Sequence, residues 1–170
     1  MEEKSFQDYY PEELSHCYGC GSMNKAGLHI RSYWDGEESF ARLTPQPHHI
    51  ATPGFVYGGL IASLIDCHGV GTAAAATCRA EGRAMDEEPR LRFVTASLKV
   101  DYLKPTPLGV QLEARGKVKE VGKRKASVSV EVFAEGTLCA RGEVIAVRMP
   151  ETMKTNYPTT GGGVPEDKTA

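Results

Sequence analysis

Apolar and polar positions alternate in three stretches of the second half of the chain. Ala96, Leu98, Val100 and Tyr102 are separated by Ser97, Lys99 and Asp101; Val110, Leu112 and Ala114 repeat the spacing, and so do Ala126, Val128, Val130 and Val132. A period of two belongs to strands, and a last strand is expected over about 138–148. Turn residues at 105–109, 122–124 and 135–136 divide these strands, the last two groups short enough for antiparallel hairpins. Nearer the start, residues 28–34 and 39–43 flank the turn signal Asp35-Gly36 and predict another hairpin.

Between that hairpin and the later strands the period changes. After a loop rich in proline and histidine, Leu60, Ile61, Leu64 and Ile65 recur at i, i+1, i+4 and i+5, which predicts a helix with one strongly apolar face, opened by Gly58-Gly59. The predicted order is β-β-α-β-β-β-β. One long helix and about six strands cannot cover both faces of a sheet. The economical α+β solution is a curved antiparallel sheet wrapped around the helix, with an edge or the outer face used for self-association. Residues 1–15 and 150–170 carry no apolar period and are expected to be tails around a domain over 16–149.

Length and composition narrow the classes. A chain of 170 residues suits one domain, and 41% hydrophobic residues, 25% charged residues and a net charge of -2 give no surplus of positive charge for nucleic acid. The acidic start MEEKSFQDYYPEEL lacks the basic head and apolar core of a signal peptide, so a cytoplasmic chain is expected. The weakly polar stretch 54–78 holds Asp66, His68 and five glycines, which suits a buried helix and no membrane insertion. Five cysteines, an odd number without framework spacing, suit reduced thiols. His16, Cys17 and Cys20 form a zinc-like group, yet no second Cys-x-x-Cys or His pair accompanies them, and a structural site needs four ligands; no metal is expected.

Asp66 is the one formally charged residue between Arg42 and Arg79. Burying a carboxylate costs several kcal/mol unless it is partnered, so its place in the core helix suggests a task, against the plainer reading of an aspartate on an exposed side. Tyr57-Gly58-Gly59 opens the same helix, where free N–H groups and the positive end of the helix dipole favour an anion and glycine admits a close approach. Gly58 and Asp66 are separated by about 12 Å along one helix at 1.5 Å per residue. They cannot both touch one reacting carbonyl. A shared site needs the carboxylate of a second copy, as a symmetric dimer supplies. Cys67 and His68 follow Asp66 directly, but neighbours at i+1 and i+2 diverge on a helix, and His68 is expected to be a core or interface histidine.

The stretch PGFVYGGLIASLID, residues 53–66, resembles the PaaI-type, or 4-hydroxybenzoyl-CoA-type, branch of the hotdog thioesterases, whose pattern is P-G-x-x-H-G-G-x-x-A-x-L-x-[DE]. Cys17-Tyr18-Gly19-Cys20-Gly21 with Gly27-Leu28, the run LKVDYLKPTP from Leu98, and the closing hairpin agree in order, so that the likeness spans about 17–148. The resemblance implies a hotdog fold and hydrolysis of an acyl-CoA thioester by a homodimer or homotetramer. The Gly58 N–H would polarise the carbonyl, and Asp66 of the neighbouring subunit would activate water or attack. Coenzyme A belongs to the substrate, and no cofactor is implied. Tyr57 stands where the family usually has His, and Ala51 where some members have Asn or Gln. Around this pair, Tyr57, Gly59, Ser63 and His49 are candidate substrate contacts, and Lys104, Lys123 and Arg124 candidate partners of the coenzyme phosphates. A non-catalytic acyl-CoA-binding protein on the same fold is the alternative.

Overall fold

A computed structural model describes residues 4–155. Six strands form one antiparallel sheet: β1 Ser32–Asp35, β2 Glu38–Leu43, β3 Phe93–Tyr102, β4 Leu112–Val121, β5 Lys125–Ala134 and β6 Thr137–Arg148. Their order in space is β1-β2-β4-β5-β6-β3, which leaves β1 and β3 at the edges. The 23-residue helix α1, Gly58–Ala80, lies against the sheet, and a short helix α2, Glu151–Thr155, follows β6. This is the hotdog arrangement, one long helix wrapped by a curved sheet.

The alternation along β5 explains how the sheet closes on the helix. Ala126, Val128, Val130, Val132 and Ala134 are buried, and the residues between them are not. Leu112 and Ala114 of β4, and Ala140, Val144 and Ala146 of β6, continue the inner face. Leu60, Ile61, Leu64 and Ile65 pack into it from α1, and together these residues form one core. At about 25 cal/mol per Å² of apolar surface, this contact is the dominant source of stability. A single apolar face describes only the first half of α1. From Thr72 to Cys78 every residue is buried, because the second half is enclosed on all sides. The helix is long and apolar enough to cross a membrane by composition, yet 67% of that stretch is buried inside the fold, as befits a core helix.

Within the stretch 1–15, expected as a tail, residues 5–15 hold local structure. Two 3-10 turns, Phe6–Tyr9 and Glu12–Leu14, lie along the domain. The Phe6 ring packs against Trp34 at 5.1 Å, and Arg79 covers the Trp34 ring at 3.8 Å. The Gln7 amide donates to the Ser32 hydroxyl at 3.2 Å, and its oxygen accepts from the Ser32 N–H at 2.8 Å. Of the second expected tail, 151–155 is helical, and 156–170 lie outside the described residues.

Strand β3 is the edge with consequences. Its alternation predicts one covered face, yet Leu98 and Tyr102 are 38% and 54% exposed in the single chain. A register shift between Thr95 and Ser97 breaks its pairing with β6. An edge with unpaired backbone groups and uncovered apolar side chains is a surface for another chain.

Candidate functional site

Asp66 lies halfway along α1 and is half-buried. One carboxylate oxygen accepts a 2.6 Å hydrogen bond from the Thr95 hydroxyl on β3. Burial raises its pKa above the usual carboxylate range, the Thr95 bond pulls it partly back, and negative charge on Cys17 adds to the rise. A carboxylate held by one donor in a partly dry setting is a stronger base than one in water. Thr95 was invisible in the sequence, since only the fold brings β3 against the middle of the helix.

The first turn of α1 forms the other half. Tyr57 occupies the N-cap position, at φ -59° and ψ 128°, with no side chain capping the helix. The Leu60 N–H donates to the Tyr57 carbonyl at 3.0 Å, while the N–H groups of Gly58 and Gly59 have no partner within the helix. Tyr57 donates its own N–H to the His49 carbonyl at 2.9 Å, which fixes the loop before the helix. Its ring folds back over Gly59, where a β-carbon would lie 2.2 Å from the ring, so a larger residue there would push the exposed Tyr57 ring aside. From β3, the Tyr102 hydroxyl donates to the Gly58 carbonyl at 2.7 Å and ties the end of the strand to the start of the helix. Tyr102 is a second site residue that periodicity presented merely as a strand position.

The remaining candidates separate. Ser63 is half-buried and donates its hydroxyl to the Gly59 carbonyl at 2.8 Å, so its proton serves the helix backbone. His49 accepts at Nδ1 from the Gln46 N–H at 2.9 Å, and the ring of His48 lies 4.2 Å from it. Burial, with His48 beside it, lowers its pKa. Lys104 is exposed and follows Tyr102; two residues on, the Thr106 carbonyl accepts from the Val56 N–H, so this loop borders the helix start. Lys123 and Arg124 are exposed in the turn between β4 and β5, where the Arg124 carbonyl accepts from the Arg148 N–H. Arg148 pairs with Phe93, and Tyr102 with Ala140, so the basic turn lies at the opposite end of the sheet from Gly58 and at the end nearer Asp66.

His68 has no part in this surface. It is fully buried, with Nδ1 at 2.9 Å from the Ser32 hydroxyl and Nε2 at 3.1 Å from that of Ser39. Ser39 in turn meets Thr72 at 2.6 Å. Burial pushes the His68 pKa down to about 4, so a neutral imidazole joins α1 to β1 and β2.

Two large concavities of the single chain lie elsewhere. One is lined by Glu113, Arg115 and Glu131 on the sheet, the other by Trp34, Arg79 and Met85, and neither includes Gly58 or Asp66. Around the helix start, Ile50, Phe55 and Tyr57 are instead exposed, at 44%, 42% and 58%.

Known proteins place this geometry in a family. The family model described as the thioesterase superfamily matches residues 53–140, which contain Gly58, Asp66, Thr95 and Tyr102. A thioesterase superfamily protein from Shewanella loihica, of known crystal structure, is 49% identical, with a TM-score of 0.64; the match covers 83% of this chain and 100% of that one. The PaaI protein of the E. coli phenylacetic acid degradation operon shares the fold at 18% identity and a TM-score of 0.59, over 72% of this chain and 81% of that one. Acyl-coenzyme A thioesterase THEM4 of Xenopus laevis is 35% identical over 88 residues, 52% of this chain. The chain spans only 34% of the length of that curated relative. By its matched region and its fold, the chain belongs to the thioesterase superfamily.

Proposed function

We propose that the protein hydrolyses an acyl-CoA thioester to the free acid and coenzyme A, in a site shared between two copies of the chain. The observation that carries this reading is the division of the machinery along one helix. An uncapped first turn at Gly58 and a half-buried basic carboxylate at Asp66 lie about two helical turns apart, each bound by a hydroxyl from the same edge strand.

Pairing two β3 edges antiparallel sets the Tyr102 end of one chain beside the Thr95 end of the other. Gly58 of one subunit then faces Asp66 of its neighbour. The thioester carbonyl accepts from the Gly58 N–H, where the helix dipole favours the developing oxyanion. Asp66 of the neighbouring subunit takes a proton from water as the water attacks, or attacks the carbonyl itself. The thiolate of coenzyme A leaves and the acid departs. The same pairing brings Lys123 and Arg124 of the neighbouring subunit to the side where Lys104 borders the helix start, and these cations suit coenzyme phosphates. Tyr57, Gly59, Ser63 and His49 line the acyl entrance, with Ser63 offering an acceptor oxygen and the Tyr57 hydroxyl a donor. The substrate contains the coenzyme, and the reaction uses no other cofactor.

Release of free thiol from short, medium, long and aromatic acyl-CoAs tests the activity, with Asp66→Asn as the control. Equal turnover by the variant removes Asp66 from its role. Binding of acyl-CoA without turnover by either protein favours the binding-protein alternative, for which the replacement of the family's usual His by Tyr57 is the supporting observation. Mixing Asp66→Asn with Gly58→Pro subunits tests the shared site, because a mixed dimer regains one intact pair. No recovery after proven subunit exchange contradicts the arrangement.

A further inference from the structure

Folding converts the Cys-x-x-Cys pair, which by itself lacks enough ligands for a metal, into a group of three thiols. Cys67, on α1 next to Asp66, joins Cys17 and Cys20, and the three sulfur atoms lie within 4.8 Å of one another. Those of Cys17 and Cys67 are 3.9 Å apart. Thiolates around a tetrahedral zinc ion at about 2.3 Å stand about 3.8 Å from one another, so little movement is needed to close this set on a cation.

The loop is shaped for the same purpose. The Gly21 N–H donates to the Cys17 carbonyl at 2.8 Å and closes the turn. Leu28 and Ile30 donate to the carbonyls of Tyr18 and Gly19 at 2.8 and 2.9 Å and fasten it to the segment leading into β1. At Gly19 a β-carbon would lie 2.2 Å from the Cys67 sulfur, so the third thiol fits because this residue has no side chain. Arg92, near enough to act on Cys20, offsets the single negative charge that three thiolates leave on a divalent cation.

We propose that Cys17, Cys20 and Cys67 bind a thiophilic divalent cation, Zn2+, through three thiolates, with a fourth position open to solvent. Each bound thiol releases its proton to solvent, and the cation fastens the 17–21 loop to α1 one residue from Asp66. Sequence spacing misses the site because the third ligand comes from a different element.

The full-length protein, reduced and freed of metal with chelator, is titrated with Co2+ and then Zn2+. The expected result is one Co2+ per chain with thiolate-to-cobalt charge-transfer absorption, displaced by Zn2+, and a rise in Tm. Cys17→Ser, Cys20→Ser and Cys67→Ser each weaken uptake by roughly a hundredfold or more, whereas Cys78→Ser and Cys139→Ser bind as the parent does. Gly19→Ala, which retains all three cysteines, also weakens uptake by pushing the Cys67 sulfur aside. Circular dichroism of the metal-free variants separates lost ligands from lost fold. Absence of the thiolate band, or a band indifferent to the three serine variants, overturns the proposal. So does a disulfide among the three cysteines in the purified protein whose reduced form takes up no cobalt.

Discussion

Acidifying the protein from pH 7 to pH 5 should destabilise it through His68, and the size of the loss follows from its surroundings. The ring is fully buried between the hydroxyls of Ser32 and Ser39, and its pKa falls from 6.5 to about 4, chiefly through burial, with Arg115 opposing a second positive charge. At 1.36 kcal/mol per unit, the folded chain binds that proton about 3 kcal/mol more weakly than the unfolded chain. Between these two values the unfolded state holds more protons, so stability falls as pH falls. The contribution is intact above 6.5 and is lost on the way down to 4, with about 2 kcal/mol gone by pH 5. Asp66 works in the opposite sense, because its raised pKa favours the folded state as pH drops. The comparison that isolates His68 is therefore a slope, wild type against His68→Gln, from urea unfolding at several pH values and one fixed protein concentration. The variant starts less stable, since the Ser32 and Ser39 hydroxyls lose their partner, but its stability should fall less over this range. Parallel slopes for the two proteins would refute the reasoning, as would an imidazole resonance titrating near 6.5.

Three further outcomes are expected. Asp66→Asn should abolish thiol release and hold or raise Tm at neutral pH: a carboxylate with a raised folded pKa favours the folded state below its unfolded pKa and loses that advantage as pH rises through the folded value. Thr95→Val removes the donor that lowers the Asp66 pKa, so the acid limb of the pH–activity profile should shift to higher pH; an unchanged limb separates Thr95 from the acting carboxylate. Tyr102→Phe removes one hydrogen bond to the Gly58 carbonyl, worth about 0.5–1.5 kcal/mol of stability, and should lower Tm by a few degrees and kcat/KM along with it; an unchanged kcat/KM separates Tyr102 from the positioning of the helix start.

Local periodicity made most of the framework readable. The alternation in β5 names its buried residues one by one, and the spacing of Leu60, Ile61, Leu64 and Ile65 marks the helical face that meets them. The two halves of the candidate site were readable for a different reason, as a lone charge and a paired glycine in a weakly polar stretch. What local pattern cannot carry is contact between distant elements. Thr95 and Tyr102 sit in an alternating strand like their neighbours, and only the position of β3 at the sheet edge turns their hydroxyls toward α1. Leu98 reads as a core residue by alternation, yet among the described residues no strand lies beyond β3 and Leu98 is 38% exposed. Phe6 and Gln7 have no periodic neighbours at all; their place depends on Trp34 and Ser32, more than twenty residues away.

Anyone trimming this protein to a minimal version would cut where the apolar pattern begins, near residue 16. The Gln7 amide makes that cut costly. It grips both the N–H and the hydroxyl of Ser32; that hydroxyl also meets His68, which reaches Ser39 and, through it, Thr72. Removing the first fifteen residues would unsettle a relay of polar groups that ends inside the helix, far from the cut. A shortened chain that keeps its core orderly has to start ahead of Ser5.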